Sequence, residues 1–279
     1  MDSWSTEIKP KTGWFDVNLA EVWRYRDLIW LFVNRDFVSQ YKQTVLGPLW
    51  FLLQPLFSTI IFTVIFSNVA HIPTDNVPPF LFYMAGTVVW GYFSNCVNAT
   101  SNTFVANAYI FGKVYFPRLV MPLSNVITRL AMFGIQFALF LAFYGYFIAK
   151  GAPLHPNLYV LALPLLLLQM AFMGLGFGIL VSSLTTKYRD LAFLVSFGIQ
   201  LWMYATPVVY PLSQVPQKYR FLMDLNPMTA VVETFRYSFL GRGTVSGTSM
   251  CLSWAITLCV LGLGIVLFSR VEKTFMDTV

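Results

Sequence analysis

The chain has 279 residues, 57% hydrophobic, 18% aromatic and 11% charged, with mean hydropathy +0.65. Soluble domains carry about 25% charged residues, so this composition excludes a water-soluble enzyme or binding module and implies a polytopic membrane protein. The formal net charge of +6 is read first as the inward bias of membrane-protein cations, and no nucleic-acid partner is expected.

The first 18 residues are polar and mixed in charge. They lack the apolar core of a secretory signal, so no cleavage is expected. From Leu19 to about Tyr41 the pattern turns helical. Val22, Tyr25, Ile29, Val33 and Phe37 recur at three- and four-residue steps, while Glu21, Arg24, Asp27, Asn34 and Arg35 fill much of the other side. Trp23, Tyr25 and Trp30 are aromatics that favour an interface. The spacing predicts an amphipathic helix lying in the headgroup plane. Residues 1–46 are therefore read as a cytoplasmic N-terminus, and 47–279 as the membrane domain. Gly47-Pro48 sits at the seam. Proline suits the first turn of a helix and glycine permits a sharp change of direction, so the pair reads as a hinge.

Beyond it, charges punctuate the chain. Long charge-free gaps separate them, and a spanning helix needs about 20 apolar residues. The gaps predict an all-α protein with six spans, at about 48–69, 79–104, 119–148, 157–183, 191–212 and 249–269. With the N-terminus inside, Lys9, Lys11, Arg24, Arg26, Arg35, Lys42, Lys113, Arg118, Lys187, Arg189, Arg270 and Lys273 fall inside. Only Lys150, Lys218, Arg220, Arg236 and Arg242 fall outside. Both termini are therefore placed in the cytoplasm. Arg129 falls within the third span, either snorkelling to the inner interface or meeting a partner in the interior.

Four of the five outer cations crowd into 213–248. Within it, Asn226 is placed to cap a helix, Pro227 to occupy its first position and Gly241 to end it. Glu233 and Arg236, three apart, can pair on one face. The segment is too short and too charged to span, and about 213–243 is read as a re-entrant outer element.

Two inner loops remain. Residues 106–119 carry Tyr109, Ile110, Phe111 and Lys113, and 185–190 carry Tyr188 and Arg189. Apolar patches on cytoplasmic loops are candidate partner surfaces. Phe51, Gln54, Phe57 and Ser58 share a side of the first span. Phe193, Phe197, Gln200 and Tyr204 form a stripe on the fifth. Such aromatic and amide stripes suit a path for sugars, and a buried amide in lipid wants water or a partner. Gly174 and Gly178 have the small-xxx-small spacing of close helix packing.

Chemistry of other kinds is not indicated. Gly112-Lys113 is preceded by Asn107 and followed by Val114, where a P-loop needs Gly and Ser or Thr. His71 and His155 fall in short outer loops. Cys96, Cys251 and Cys259 are odd in number and lack metal-ligand spacing, so neither a disulfide framework nor a metal site is expected. No catalytic residue, resident cofactor or metal is predicted.

Two segments carry a resemblance. "YKQTVLGPLWFLLQP" (Tyr41–Pro55) and "NPMTAVVETFRYSFLG" (Asn226–Gly241) resemble the permease subunits of ABC-type polysaccharide exporters, which move O-antigen, capsule and teichoic acid precursors. The resemblance implies a non-enzymatic subunit working as two copies with two separate ATPase subunits, which would bind ATP and Mg. It implies a polyprenyl-diphosphate-linked polysaccharide as cargo, the surrounding membrane lipids as further contacts, and a bacterial plasma (inner) membrane location. It also implies a coupling helix in the first inner loop and outer gate helices around Asn226, Pro227, Glu233 and Arg236. The residues alone leave two alternatives: a drug or lipid exporter of the same superfamily, and an integral-membrane glycosyl- or acyltransferase.

Overall fold

A computed structural model describes residues 19–42, 46–186, 188 and 190–274, and every regular element among them is helical. In chain order these are α1 (Leu19–Arg24), α2 (Arg26–Tyr41), α3 (Trp50–Phe62), α4 (Pro79–Ser101), α5 (Thr103–Phe111), α6 (Val120–Ala149), α7 (Leu163–Thr185), α8 (Leu191–Tyr204), α9 (Gln217–Leu225), α10 (Pro227–Leu240) and α11 (Gly247–Thr274). Five stretches are long and apolar enough to cross a membrane: Gly47–Val69, Pro79–Ser101, Val120–Ala149, Leu158–Thr185 and Gly247–Glu272. Their ends differ from those of the corresponding predicted spans by no more than three residues.

The fifth gap behaves differently. Only Leu191–Tyr204 is a regular apolar helix there. Fourteen residues rise about 21 Å, short of a hydrocarbon core of about 30 Å. Pro207 has no N–H to continue the ladder and disfavours helical backbone at Thr206, so 205–211 runs on as turns.

α4 is the hub. Of its apolar window 72% is buried, against 11% in Gly47–Val69. It opens at Pro79, with proline at a first-turn position where no intrahelical donor is lost. Residues 81–86 are all buried. It meets α7, α6, α3, α10 and α8.

The seam between α4 and α7 is built from glycine. A Cβ on Gly174 would lie 2.5 Å from the Cβ of Cys96, and one on Gly178 would fall inside the side chain of Thr100. Thr100 Oγ1 donates to Cys96 O at 2.7 Å and lies 3.3 Å from Gly174 O across the seam. The opposite face of α7 meets α11 the same way: a Cβ on Gly176 would stand 2.8 Å from Leu261 Cα, and one on Gly264 would stand 2.6 Å from Gly176 O. The small-xxx-small pair therefore serves backbone-to-backbone packing, which carries helix association in lipid.

α3 opens differently. Gly47 has φ +51° with nothing within 4 Å of an added Cβ, and Pro48 lies in the 3-10 turn Gly47–Leu49 that leads into the helix. Inside α3, Thr59 Oγ1 donates to Pro55 O at 2.7 Å and Thr63 Oγ1 to Thr59 O at 2.7 Å. The helix then widens to a π-helical segment, Thr63–Val69.

The N-terminal helices are not sorted as expected. The stripe Val22, Tyr25, Ile29, Val33 and Phe37 is buried or half-buried, and α2 lies along α6. Trp23, Trp30 and Leu31 are exposed among Arg24, Asp27 and Asn34. The apolar stripe is thus spent on the protein, and a second set of apolar residues shares the outer side with charges.

Gly178→Val should force α4 and α7 apart and lower stability by about 1–3 kcal/mol or more. Gly262→Ala meets open space and should be neutral or raise stability by up to about 1 kcal/mol. Thermal midpoints of the two purified variants check this; equal midpoints would contradict the seam.

Candidate functional site

The side chains that lipid penalises most gather on one side of α4. Gln54 and Ser58 of α3, Thr87, Asn95 and Asn98 of α4, Gln136 of α6, and Ser196, Gln200 and Tyr204 of α8 line an open cleft of about 370 Å³. It extends along α4 from Thr87 to Asn98, about 16 Å of helix rise. Pro55, Phe62, Trp90, Ile199 and Met203 complete the wall. Some polar groups are engaged: Ser196 Oγ meets Asn98 Oδ1 at 3.3 Å, and the hydroxyls of Thr59 and Thr87 meet at 3.2 Å. The amides of Gln54, Asn95, Gln136 and Gln200 have no protein partner among the described residues. An amide left unpaired in an apolar medium costs roughly 2–7 kcal/mol. Gln136 is buried and Asn95 half-buried, while Gln54 and Gln200 are exposed at the cleft mouth; inside a membrane such groups call for water or a polar occupant beside them. An amide offers both donors and acceptors, which matches a polyhydroxylated ligand.

The two predicted stripes divide. Gln54, Ser58, Gln200 and Tyr204 come together in the cleft. Phe193 and Phe197 continue the α8 stripe toward its first turn and are 82% and 60% exposed, and Phe57 is also exposed. Phe51 packs at 6.0 Å from Phe37 of α2. Gln136, Trp90 and Ser196 join the cleft without having been singled out in the sequence. Gln136 was findable: it is the one Gln in the charge-free stretch that follows Arg129, and the argument applied to Gln54 and Gln200 applies to it equally.

Beyond α8 the outer segment is a tight structure. Asn226 caps α10, its Oδ1 accepting from Met228 N at 3.1 Å. The same oxygen accepts from Trp202 Nε1 at 3.0 Å, while Asn226 Nδ2 donates to Thr206 Oγ1 at 2.9 Å and Ala205 O at 3.1 Å. One side chain thus ties the start of α10 to the end of α8. Trp202 in turn packs edge-on against Trp90 of the cleft, with ring centroids 6.0 Å apart. Pro227 takes the first turn, and Gly241 ends the helix at φ +69°, packed against His155.

α10 is buried almost throughout, its charges included. Glu233 and Arg236 are 3% and 1% exposed. Arg236 Nη1 stands 3.5 Å from Glu233 Oε1 and donates to Pro207 O, and Nη2 donates to Val208 O at 2.6 Å. The guanidinium carbon lies 3.7 Å from the centroid of the Phe82 ring. Glu233 Oε2 accepts from Thr244 N at 3.1 Å. Arg236 therefore satisfies the carbonyls that the break after α8 leaves open, and binds that break to α10 and to the outer end of α4.

The first inner loop also divides. It forms α5, with Tyr109 65% exposed and Ile110 half-buried. Phe111 is buried against Phe104 and Phe116. The exposed patch is Tyr109, Lys113, Val114 and Tyr115. Tyr115 Oη donates to Glu21 Oε1 of α1 at 3.4 Å, and Arg118 N donates to Glu272 Oε1 of α11 at 3.2 Å. Tyr188 is exposed, and Arg189 lies outside the described residues. Arg129 reaches the side chain of Gln40 at 3.4 Å and Met132 Sδ at 3.3 Å, so it joins α6 to α2.

Arg236→Ala should destabilise the protein by about 3–5 kcal/mol, because it strands Glu233 without its partner. Arg236→Lys should recover only part of this, since an ammonium lacks the planar fork that reaches several carbonyls. Thermal unfolding of both variants checks it; an alanine variant as stable as the wild type would contradict the buried role.

Comparison with known proteins fits this architecture. The chain is 29% identical over 259 residues to an O-antigen export system permease protein RfbA of Klebsiella pneumoniae, covering 90% of this chain and 94% of that one. An RfbA of Myxococcus xanthus is 26% identical over 264 residues, covering 94% and 98%. The polysialic acid transport protein KpsM of Escherichia coli is 20% identical over 244 residues, covering 88% and 93%. Residues 27–240, from α2 to the end of α10, match the ABC-2 type transporter family. That match spans well over half of the sequence: the chain belongs to the ABC-2 type transporter family.

Proposed function

We propose that this chain is the permease subunit of an ABC exporter that carries a polyprenyl-diphosphate-linked, O-antigen-like polysaccharide from the cytoplasmic to the outer face of the bacterial inner membrane. The observation that carries the reading is the cleft, whose four unpartnered amides call for a hydroxylated occupant. The names of the relatives point the same way. Two copies would enclose the path and two separate ATPase subunits would drive it. The exposed face of Gly47–Val69, whose apolar window is only 11% buried within one chain, supports a second copy. We place both termini in the cytoplasm. α8 together with 205–211 then makes the sixth crossing, and the even count agrees with the Lys and Arg distribution.

The work of this subunit is conformational. ATP-driven closure of the partners would press on the exposed patch around Tyr109 and Lys113. The N-terminal helices would pass that push through Gly47 and Pro48 to α3, tilting Gln54 and Ser58 against Gln200. At the outer end, α9 and α10 act as the gate, held by Asn226 and Arg236.

Export is tested in a host that makes a lipid-linked O-polysaccharide but lacks its own permease. Surface polysaccharide should return only when this chain and its partner ATPase are expressed together, and the chain purified alone should hydrolyse no ATP. No polysaccharide at the surface, with both proteins in the membrane, would overturn the reading. In the same assay Gly47→Val should cut export far more than it cuts membrane abundance. A valine there meets no neighbour and is strained only by φ, on the order of 1–3 kcal/mol. Pro48→Ala should be milder. Normal export by the valine variant would end the hinge role.

A further inference from the structure

The cleft is uncharged along its whole length. Among its described lining residues the polar groups are amides, hydroxyls and one indole, and none is an Asp, Glu, Lys or Arg. The helices that build it repeat this. Gly47–Val69, Pro79–Ser101 and Leu191–Tyr204 contain no charged residue, and α6 contains one, Arg129. Arg129 does not line the cleft; it is turned to Gln40 of α2 and to Met132.

Two kinds of occupant fare very differently here. A neutral sugar exchanges water hydroxyls for amide and hydroxyl groups that can both donate and accept, and it can lie against the rings of Trp90 and Tyr204. A polymer with a carboxylate in every repeat gives up part of its hydration between these walls and finds no cation, a cost that recurs along the chain, whereas the diphosphate at the lipid end enters once. Desolvation of an ion without a partner is the costliest burial a protein can impose.

We propose that the cleft selects for glycans with uncharged repeat units and rejects polymers that carry an anionic group in each repeat. The inference rests on the reading of the cleft as the glycan path and adds to it the charge class of the cargo. Gln54 and Gln200 are its specificity-determining residues, facing the space from α3 and α8.

The test uses a matched pair of probes on proteoliposomes holding this chain and its partner ATPase. One is a polyprenyl-diphosphate-linked oligosaccharide of neutral hexoses. The other is the same oligosaccharide after its primary alcohols have been oxidised to carboxylates. ATP-dependent protection of a label on the glycan reads out transport. The neutral probe should move at least ten times faster than the oxidised one. Gln200→Lys, or Gln54→Lys if the first does not insert, should narrow that ratio by speeding the oxidised probe, and added salt should weaken the gain. Equal rates for the two probes in the wild-type complex would overturn the charge selection and leave the export function standing. Movement of neither probe, in a complex that hydrolyses ATP, would overturn the export function itself.

Discussion

Lipid offers no hydrogen bonds, and this constraint organises the structure. Most hydroxyls inside the spans meet it locally. Thr63 closes on Thr59 O, Thr100 on Cys96 O, Ser183 on Ile179 O and Thr257 on Ser253 O, each within its own helix. Amides with long side chains cannot fold back so easily. Gln169 meets it in part across helices, its Nε2 donating to Ser253 Oγ at 2.6 Å, which itself donates to Pro227 O, while its Oε1 is buried without a partner. Gln54, Asn95, Gln136 and Gln200 have no protein partner among the described residues, and all four line one cleft. A shared cleft is the arrangement in which four such groups can be kept inside a membrane without four separate penalties.

The same constraint divides the molecule into a frame and its walls. The frame is α4, α7 and α11, drawn together at glycine seams where backbones touch, with α10 sunk into its outer end. The cleft walls on α3 and α8 are held far less: Thr59 is the only buried hydroxyl α3 presents, and Ile199 is the one buried residue of α8. The inner end of the frame is tied at Arg118 and Glu272, and the outer end at Arg236 and Asn226. Each tie uses a polar group at a helix end, where backbone donors or acceptors are open. Trp202 stands between the two regions, against Trp90 on one side and Asn226 on the other, and with the bonds of Asn226 and Arg236 to 205–208 it links α8 to α10.

Much of this could be read along the chain. Charge gaps locate five long helices because a charge inside lipid is costly enough to be absent. The cap at Asn226, the proline after it and the glycine stop at 241 follow from local rules that need no tertiary partner. Glycine at 47 marks a place where the chain can turn sharply, while its positive φ is seen only in the structure. What the pattern left open depends on partners distant in sequence. Phe57, Phe193 and Phe197 have the same periodicity as Gln54 and Gln200, and hydrophobicity cannot distinguish a lipid-facing ring from a path-facing one. Phe111 looked like part of a docking patch because Phe104 and Phe116, which bury it, are brought there by the fold. The apolar gap 191–212 read as one span because absence of charge outweighed Pro207, which ends the helix. α2 read as an interfacial helix because its stripe is regular, and in the fold that stripe is buried or half-buried within the protein while α2 lies along α6.

The central claim is that the glycan passes between α3 and α8 against the unpartnered amides. A photoreactive amino acid placed at Gln200 reports on this directly, in cells exporting a labelled polysaccharide, with the same residue placed at the exposed Leu258 of α11 for comparison. The account predicts an ATP-dependent cross-link to polysaccharide at 200 and none at 258. Cross-linking only to lipid at both positions, while export continues, would contradict it.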